Sequence, residues 1–239
     1  LKANMSIKSM KDIDYKNIAI SGLPGCGSTT LLRMLSEELK YAGFTGFSGG
    51  EFMRAYATEK GLFDAKCKAH HSALVYSDDF DRQVDMGIRD KLSKEEGWII
   101  ESWLSGFMAQ NIPTTLKILV TCSDDAVRID RIVNRDEISI EEAKNNALTR
   151  YQENLQKWQR MYKKEWHDWL VKTGKVSAKA ELDFWRPDIY DLVIDTYYEF
   201  LKYKSDDIII NIELNDLLNL KKDVFFKYKT LLDLIKDDI

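Results

Sequence analysis

The chain reads as an α/β fold, a five-stranded parallel sheet with helices on both faces. Two observations point there. Short apolar runs alternate with helical patterns, which is the signature of parallel strands covered by crossover helices. A glycine-rich turn also joins the first apolar run directly to the first helix. The runs short enough for buried strands are Asn17–Ser21, Trp98–Glu101, Leu116–Cys122 and Asp191–Asp195, with a weaker one at Phe44–Ser48. Helices are predicted over Thr29–Tyr41, Gly50–Lys60, Asp79–Lys94, Asp124–Asn134 and Ile140–Val171. Ser123-Asp124-Asp125 supplies an N-cap for the helix after the fourth strand.

The turn reads "AISGLPGCGSTTLLRML" over Ala19–Leu35. It fits the phosphate-binding pattern G-x-x-x-x-G-K-[ST] with Gly22 and Gly27 in the glycine slots and Thr29 in the hydroxyl slot. Glycines let backbone N–H groups converge on phosphate oxygens, and the helix N-terminus adds its positive end. The lysine slot holds Ser28. That lysine normally contacts the β- and γ-phosphates. Losing one preorganised electrostatic donor typically costs about 10²–10³ in rate. Backbone amides and a Mg²⁺ ion on Thr29 remain, so the loop points to binding more firmly than to catalysis.

Composition narrows the classes. The chain has 239 residues, enough for one large domain, and a net charge of −4, which argues against a general nucleic-acid binder. No apolar run approaches the roughly 20 residues of a membrane helix, and no secretory apolar region opens the chain. Leu1–Asn4, ahead of Met5, are set aside. Three irregularly spaced cysteines, Cys26, Cys67 and Cys122, fit free thiols in a cytoplasmic setting. Three prolines and no low-complexity linker suggest one compact domain with insertions.

Further blocks follow in order. "FSGGEFMRAYATEKGL" (Phe47–Leu62) sets Glu51 and Arg54 on one helical face, either as an ion pair or with Arg54 free to grip a phosphate. "DDFDRQVD" (Asp78–Asp85) puts Asp81 and Asp85 on one face with Arg82 beside Asp85. "GWIIESWLSGFM" (Gly97–Met108) ends a strand on Glu101. In "LKILVTCSDDAVRIDRIVNRDEISIEEA" (Leu116–Ala143), Arg128, Arg131 and Arg135 recur on one helical face. "RYQENLQK" (Arg150–Lys157) lies in a long polar helix, and "IYDLVIDT" (Ile189–Thr196) is the last strand.

From about Asn17 to Thr196 these blocks resemble the nucleoside monophosphate kinases, cytidylate kinases of the short archaeal type above all. The resemblance implies a three-layer P-loop NTPase fold with a helical acceptor-binding insertion (about 45–95) and a lid (about 135–187) inside a domain spanning 16–205. A tail, 1–15, precedes that domain and a helical extension, 206–239, follows it. The resemblance assigns Gly22, Gly25, Cys26, Gly27, Ser28, Thr29, Thr30 and Arg131 to ATP, Thr29 also to Mg²⁺, and Arg135, Arg150 and Lys157 to catalysis. Ser48, Arg54, Asp81, Arg82, Asp85 and Glu101 fall on the acceptor side, Glu101 also being placed to reach Mg²⁺ through water.

The departures concern charge. Besides Ser28, Trp103 stands where the family has an arginine, Met86 and Gly87 replace two more, Asn154 an aspartate, and Leu155 and Lys157 lid arginines. The implied function is ATP- and Mg²⁺-dependent phosphoryl transfer to a nucleoside monophosphate, CMP or dCMP. A nucleotide-binding protein with lost chemistry, or a kinase of another small hydroxylated metabolite, stands beside it. The expected partners are that small substrate and, at most, a second copy, with no nucleic acid or membrane.

Four features carry readings beyond the resemblance. Cys67, His70 and His71 form a C-x-x-H-H cluster without a convincing fourth zinc ligand. Glu165–Arg186 is longer than such kinases need and carries Trp166, Trp169 and Trp185, which read as a local core. Leu214–Ile235 forms an apolar helical face that packs on its own domain or on a partner. Cys26, near a helix N-terminus, is either a reactive thiol or simply small.

Overall fold

A computed structural model describes residues 15–59 and 76–197. The Cys67, His70, His71 cluster and the apolar face at 214–235 lie outside the described residues, as does nearly all of the 1–15 tail. The strands are β1 (Asn17–Gly22), β2 (Thr45–Ser48), β3 (Trp98–Glu101), β4 (Thr115–Thr121) and β5 (Leu192–Asp195). They form one parallel sheet in the order β2-β3-β1-β4-β5. Ile18 of β1 lies between Ile99 of β3 and Leu116 of β4, and all six residues of β1 are buried. A central parallel strand is covered on both faces, which is why "NIAISG" is a continuous apolar-leaning run rather than an alternating one.

The two faces carry separate cores. Ile18, Ile20, Ile99 and Ile118 pack with Leu31, Leu32 and Leu35 of α1 (Ser28–Leu39). Ala19, Ile100 and Leu119 face the other way, toward Ile88 and Leu92 of α3 (Asp78–Lys94) and Phe107 of α4 (Ser105–Met108). Helix α2 (Gly49–Glu59) and α3 lie between β2 and β3 in the chain. After β4 come α5 (Asp125–Asp136) and α6 (Ile140–Met161). Asp124 caps α5 by accepting from the amides of Ala126 and Val127, and Ser139 caps α6.

The pattern predicts one helix over Ile140–Val171, but the structure breaks it at Tyr162 (φ −112°, ψ 19°). The chain resumes as the short helix α7 (Lys163–Trp166) and a π-helical turn at His167–Val171. Tyr162 is fully buried, and its hydroxyl donates to Asp85 of α3 at 2.7 Å. Tertiary packing therefore overrides helical continuity. The tryptophans beyond the break join the second core: Trp166 and Trp185 are buried, and Trp169 packs on Phe107 of the same cluster. Among the described residues, no helix is long and apolar enough to cross a membrane.

Candidate active site

The phosphate loop runs from the end of β1 to the start of α1. Gly25 has φ +81°, and a Cβ there would fall 2.4 Å from the Arg128 carbonyl oxygen, so only glycine fits. Gly27, at φ +95°, begins α1, and no side chain caps that helix. The loop is braced from behind. Arg128 donates to the Pro24 carbonyl at 3.4 Å and Arg131 to the Gly25 carbonyl at 3.3 Å. The Thr196 hydroxyl lies 2.9 Å from the Cys26 carbonyl oxygen and receives an Arg131 N–H at 2.7 Å. In a trans peptide the N–H opposes its C=O. Pinning the carbonyls of Pro24 and Cys26 outward therefore turns the Gly25 and Gly27 amides inward, where a phosphate would sit.

Thr29 and Thr30 are exposed on the first turn of α1. Ser28 is buried, and its hydroxyl donates to Glu101 Oε1 at 2.8 Å. Ser48, at the end of β2, donates to Glu101 Oε2 at 3.0 Å. The parallel register sets Ser48 beside Glu101, and burial raises the Glu101 pKa although both serines and Arg54 oppose the rise. Cys26 does not have the environment of a reactive thiol. It is 1% exposed, and burial pushes its pKa up to about 11, outweighing the helix start nearby.

A pocket of about 120 Å³ opens between α2, α3 and α6, beside the segment that follows β3. Arg54 and Arg150 line it with Asp81, Asp85, Trp103 and Asn154. Burial lowers the Arg150 pKa to about 10, with repulsion from Arg135 and Arg54 adding to it. Arg150 of α6 is therefore repelled by guanidinium groups from two other helices, Arg54 of α2 and Arg135 of α5. Arg135 also holds both carboxylate oxygens of its neighbour Asp136 at 2.8 Å.

Three residues assigned from sequence have other partners. The Lys157 ammonium is buried on Asp81 Oδ2 at 2.7 Å and on the Tyr76 carbonyl at 2.7 Å. From α6 it is thus tied to Asp81 of α3 and to Tyr76 just before that helix. Arg82 points out of the pocket. It pairs with Glu165, donates to the Met161 carbonyl and lies over the Tyr162 ring, joining α3 to the chain after α6. Arg131 grips the loop and Thr196 rather than an open surface.

Asp85 accepts from Tyr162 and is raised to about 7 by burial first, then by the nearby Asp81. Sequence reasoning passed over Thr196 and the pocket role of Asn154. Thr196 closes the "IYDLVIDT" block, and its place beside the loop follows only from the β4–β5 pairing.

A family model described as an AAA domain matches residues 18–169. A cytidylate kinase of Methanoregula boonei is 34% identical over 156 residues, covering 64% of this chain and 80% of the relative. A cytidylate kinase of Haloarcula marismortui is 29% identical over 179 residues, covering 75% and 80%. A solved gluconokinase structure from Sinorhizobium meliloti 1021 aligns over 57% of this chain and 75% of its own, at 12% identity and a TM-score of 0.38. Because the family match runs from β1 to the turn after α7, and relatives of this kind are covered over most of their length, the chain belongs to the nucleoside monophosphate kinase family of P-loop proteins.

Proposed function

We propose that the protein transfers the γ-phosphoryl group of ATP to a nucleoside monophosphate, as a cytidylate-kinase-like enzyme acting on CMP or dCMP. The observation that carries this reading is that Arg54 and Arg150 line one pocket, with Arg135 near enough to Arg150 to lower its pKa further. Like charges gathered in a half-buried site repel one another, and a phosphate between them relieves that repulsion. The names of the cytidylate kinase relatives favour a pyrimidine acceptor.

The inward amides of Gly25 and Gly27 and the start of α1 would hold the donor phosphates. Arg54 would hold the acceptor phosphate, while Arg135 and Arg150 face the charge that migrates between the two. Thr29 would offer its hydroxyl to Mg²⁺ and Glu101 would reach the ion through water; when bound, the ion would neutralise charge on the phosphates. That thin set fits. Among the described residues no cluster of three His, Cys, Asp or Glu side chains exists, and magnesium keeps waters and phosphate oxygens rather than a protein cage. In this reading the lid (about 135–187) contains α6 and the acceptor insertion (about 45–95) contains α2 and α3, and their approach would exclude water.

The test is phosphoryl transfer by the purified full chain from ATP to a panel of common monophosphates. Turnover with CMP and dCMP is the expected result. No transfer to any of them overturns the reading. A second reading, nucleotide binding without turnover, is favoured by the Ser28 hydroxyl, which meets Glu101 where the family has an ammonium. Calorimetry separates the two, since tight ATP binding with no product supports only the second.

A further inference from the structure

We propose that Trp103 is a positioning residue: its ring holds the Arg150 guanidinium over the acceptor pocket, and the Glu165–Arg186 segment fixes that ring. The proposal rests on the phosphotransferase reading for its consequence, not for its geometry.

Arg150 Cζ lies 5.0 Å from the centroid of the Trp103 ring. Both side chains line the same pocket. Two further tryptophans meet the ring edge to face, Trp158 at 5.5 Å and Trp185 at 6.0 Å, each at 72°. Trp185 Nε1 also donates to the Trp103 carbonyl at 2.9 Å. Trp185 itself is 8% exposed and packs on Phe184 and Trp158. The ring plane is thus set by contacts from α6 and from the far end of the long segment.

Arg135 and Arg54 repel Arg150, and a long side chain has many rotamers that carry its charge away from them. Indole offers the strongest π face among the side chains, and a contact of this kind favours one arrangement by about 5- to 30-fold. Trp103 brings no charge of its own, but it orients the positive charge that α6 carries to the pocket. A ring that merely fills the core would leave Arg150 unaffected.

The experiment uses the full chain with Trp103→Leu, Trp103→Phe, Arg150→Lys, Arg150→Ala and the double variant Trp103→Leu/Arg150→Ala. The first readout is the Arg150 Nε–H resonance, assigned by its loss in Arg150→Lys. It is expected upfield in the parent, less so in Trp103→Phe, and unshifted in Trp103→Leu. An unchanged resonance in Trp103→Leu overturns the proposal, and if that variant does not fold, an unchanged resonance in Trp103→Phe does so.

The second readout is calorimetric affinity for CMP and for cytidine. Trp103→Leu is expected to weaken CMP about 5- to 30-fold, to leave cytidine unchanged, and to add nothing once Arg150 is alanine. Equal losses for both ligands, or additive losses, mean a structural role only. If the parent binds no monophosphate, the functional reading falls while the resonance still decides whether Trp103 holds Arg150.

Discussion

The Ser28 hydroxyl donates to Glu101 Oε1 at 2.8 Å, so the slot that holds a lysine in related phosphate loops is tied to an acid at the end of β3. Burial raises the Glu101 pKa, and a cation at position 28 would reverse that rise. Ser28→Lys places an ammonium within reach of both Glu101 and the donor phosphates. The expected outcome is a kcat gain of about 10-fold, below the full 10²–10³ of such a donor because Glu101 competes for it. Steady-state kinetics with ATP and CMP check this. An unchanged kcat would mean that the arginines already supply the charge.

In the proposed function, Arg54 of α2 is the group that holds the acceptor phosphate. Gly50 lies beside this residue, where even a Cβ would make only an ordinary contact, 3.5 Å from Arg54 Nη1. Arg54→Ala should raise the KM for the monophosphate by about 10–100-fold, the value of a charge-assisted pair, while the KM for ATP moves little. Arg54→Lys should recover only part of that loss, because an ammonium lacks the bidentate fork.

Asp85 gives the fold a pH dependence of definite sign. Its pKa is about 7 in the folded chain against an ordinary 3.8, because burial disfavours the anion. Between those values the folded state keeps a proton that the unfolded state has released. The stability Asp85 contributes is therefore full below about pH 4 and is lost as pH rises through about 7, with an upper bound of about 4 kcal/mol. Asp81 and Glu101 are raised in the same direction. Thermal unfolding of the full chain should show Tm falling from pH 5.5 to 8, and Asp85→Asn should flatten that slope while keeping an acceptor for Tyr162.

The sheet and the phosphate loop were legible because they are local. A buried parallel strand needs a continuous apolar run, and the loop needs glycine at positions such as Gly25. The arginine cluster was legible only as separate motifs, since α2, α5 and α6 each bring one member. Lys157 and Arg82 have partners that the sequence did not show. Their spacing along a helix was read correctly, but the partner facing them was not in the same segment: Lys157 meets Asp81 and Arg82 meets Glu165 across long sequence separations. Trp103, read as a lost charge, has its role set by Trp185, 82 residues away.

The Lys157–Asp81 pair is itself open to test, because a buried ion pair and a catalytic lysine answer differently to double substitution. The side chains are 3% and 11% exposed, and Asp81 Oδ1 is buried without a hydrogen-bond partner among the described residues. Removing the ammonium alone leaves a buried carboxylate with little solvation. Lys157→Met should therefore cost about 3–5 kcal/mol in urea unfolding. Removing both charges lifts that penalty, so Asp81→Leu/Lys157→Met should be more stable than Lys157→Met, with a coupling well above the experimental scatter of about 0.5 kcal/mol. A lysine acting on the migrating phosphoryl group would instead leave stability nearly unchanged in the single variant. A cycle with no coupling would remove Lys157 from the acceptor side and return it to the lid chemistry its motif position suggests.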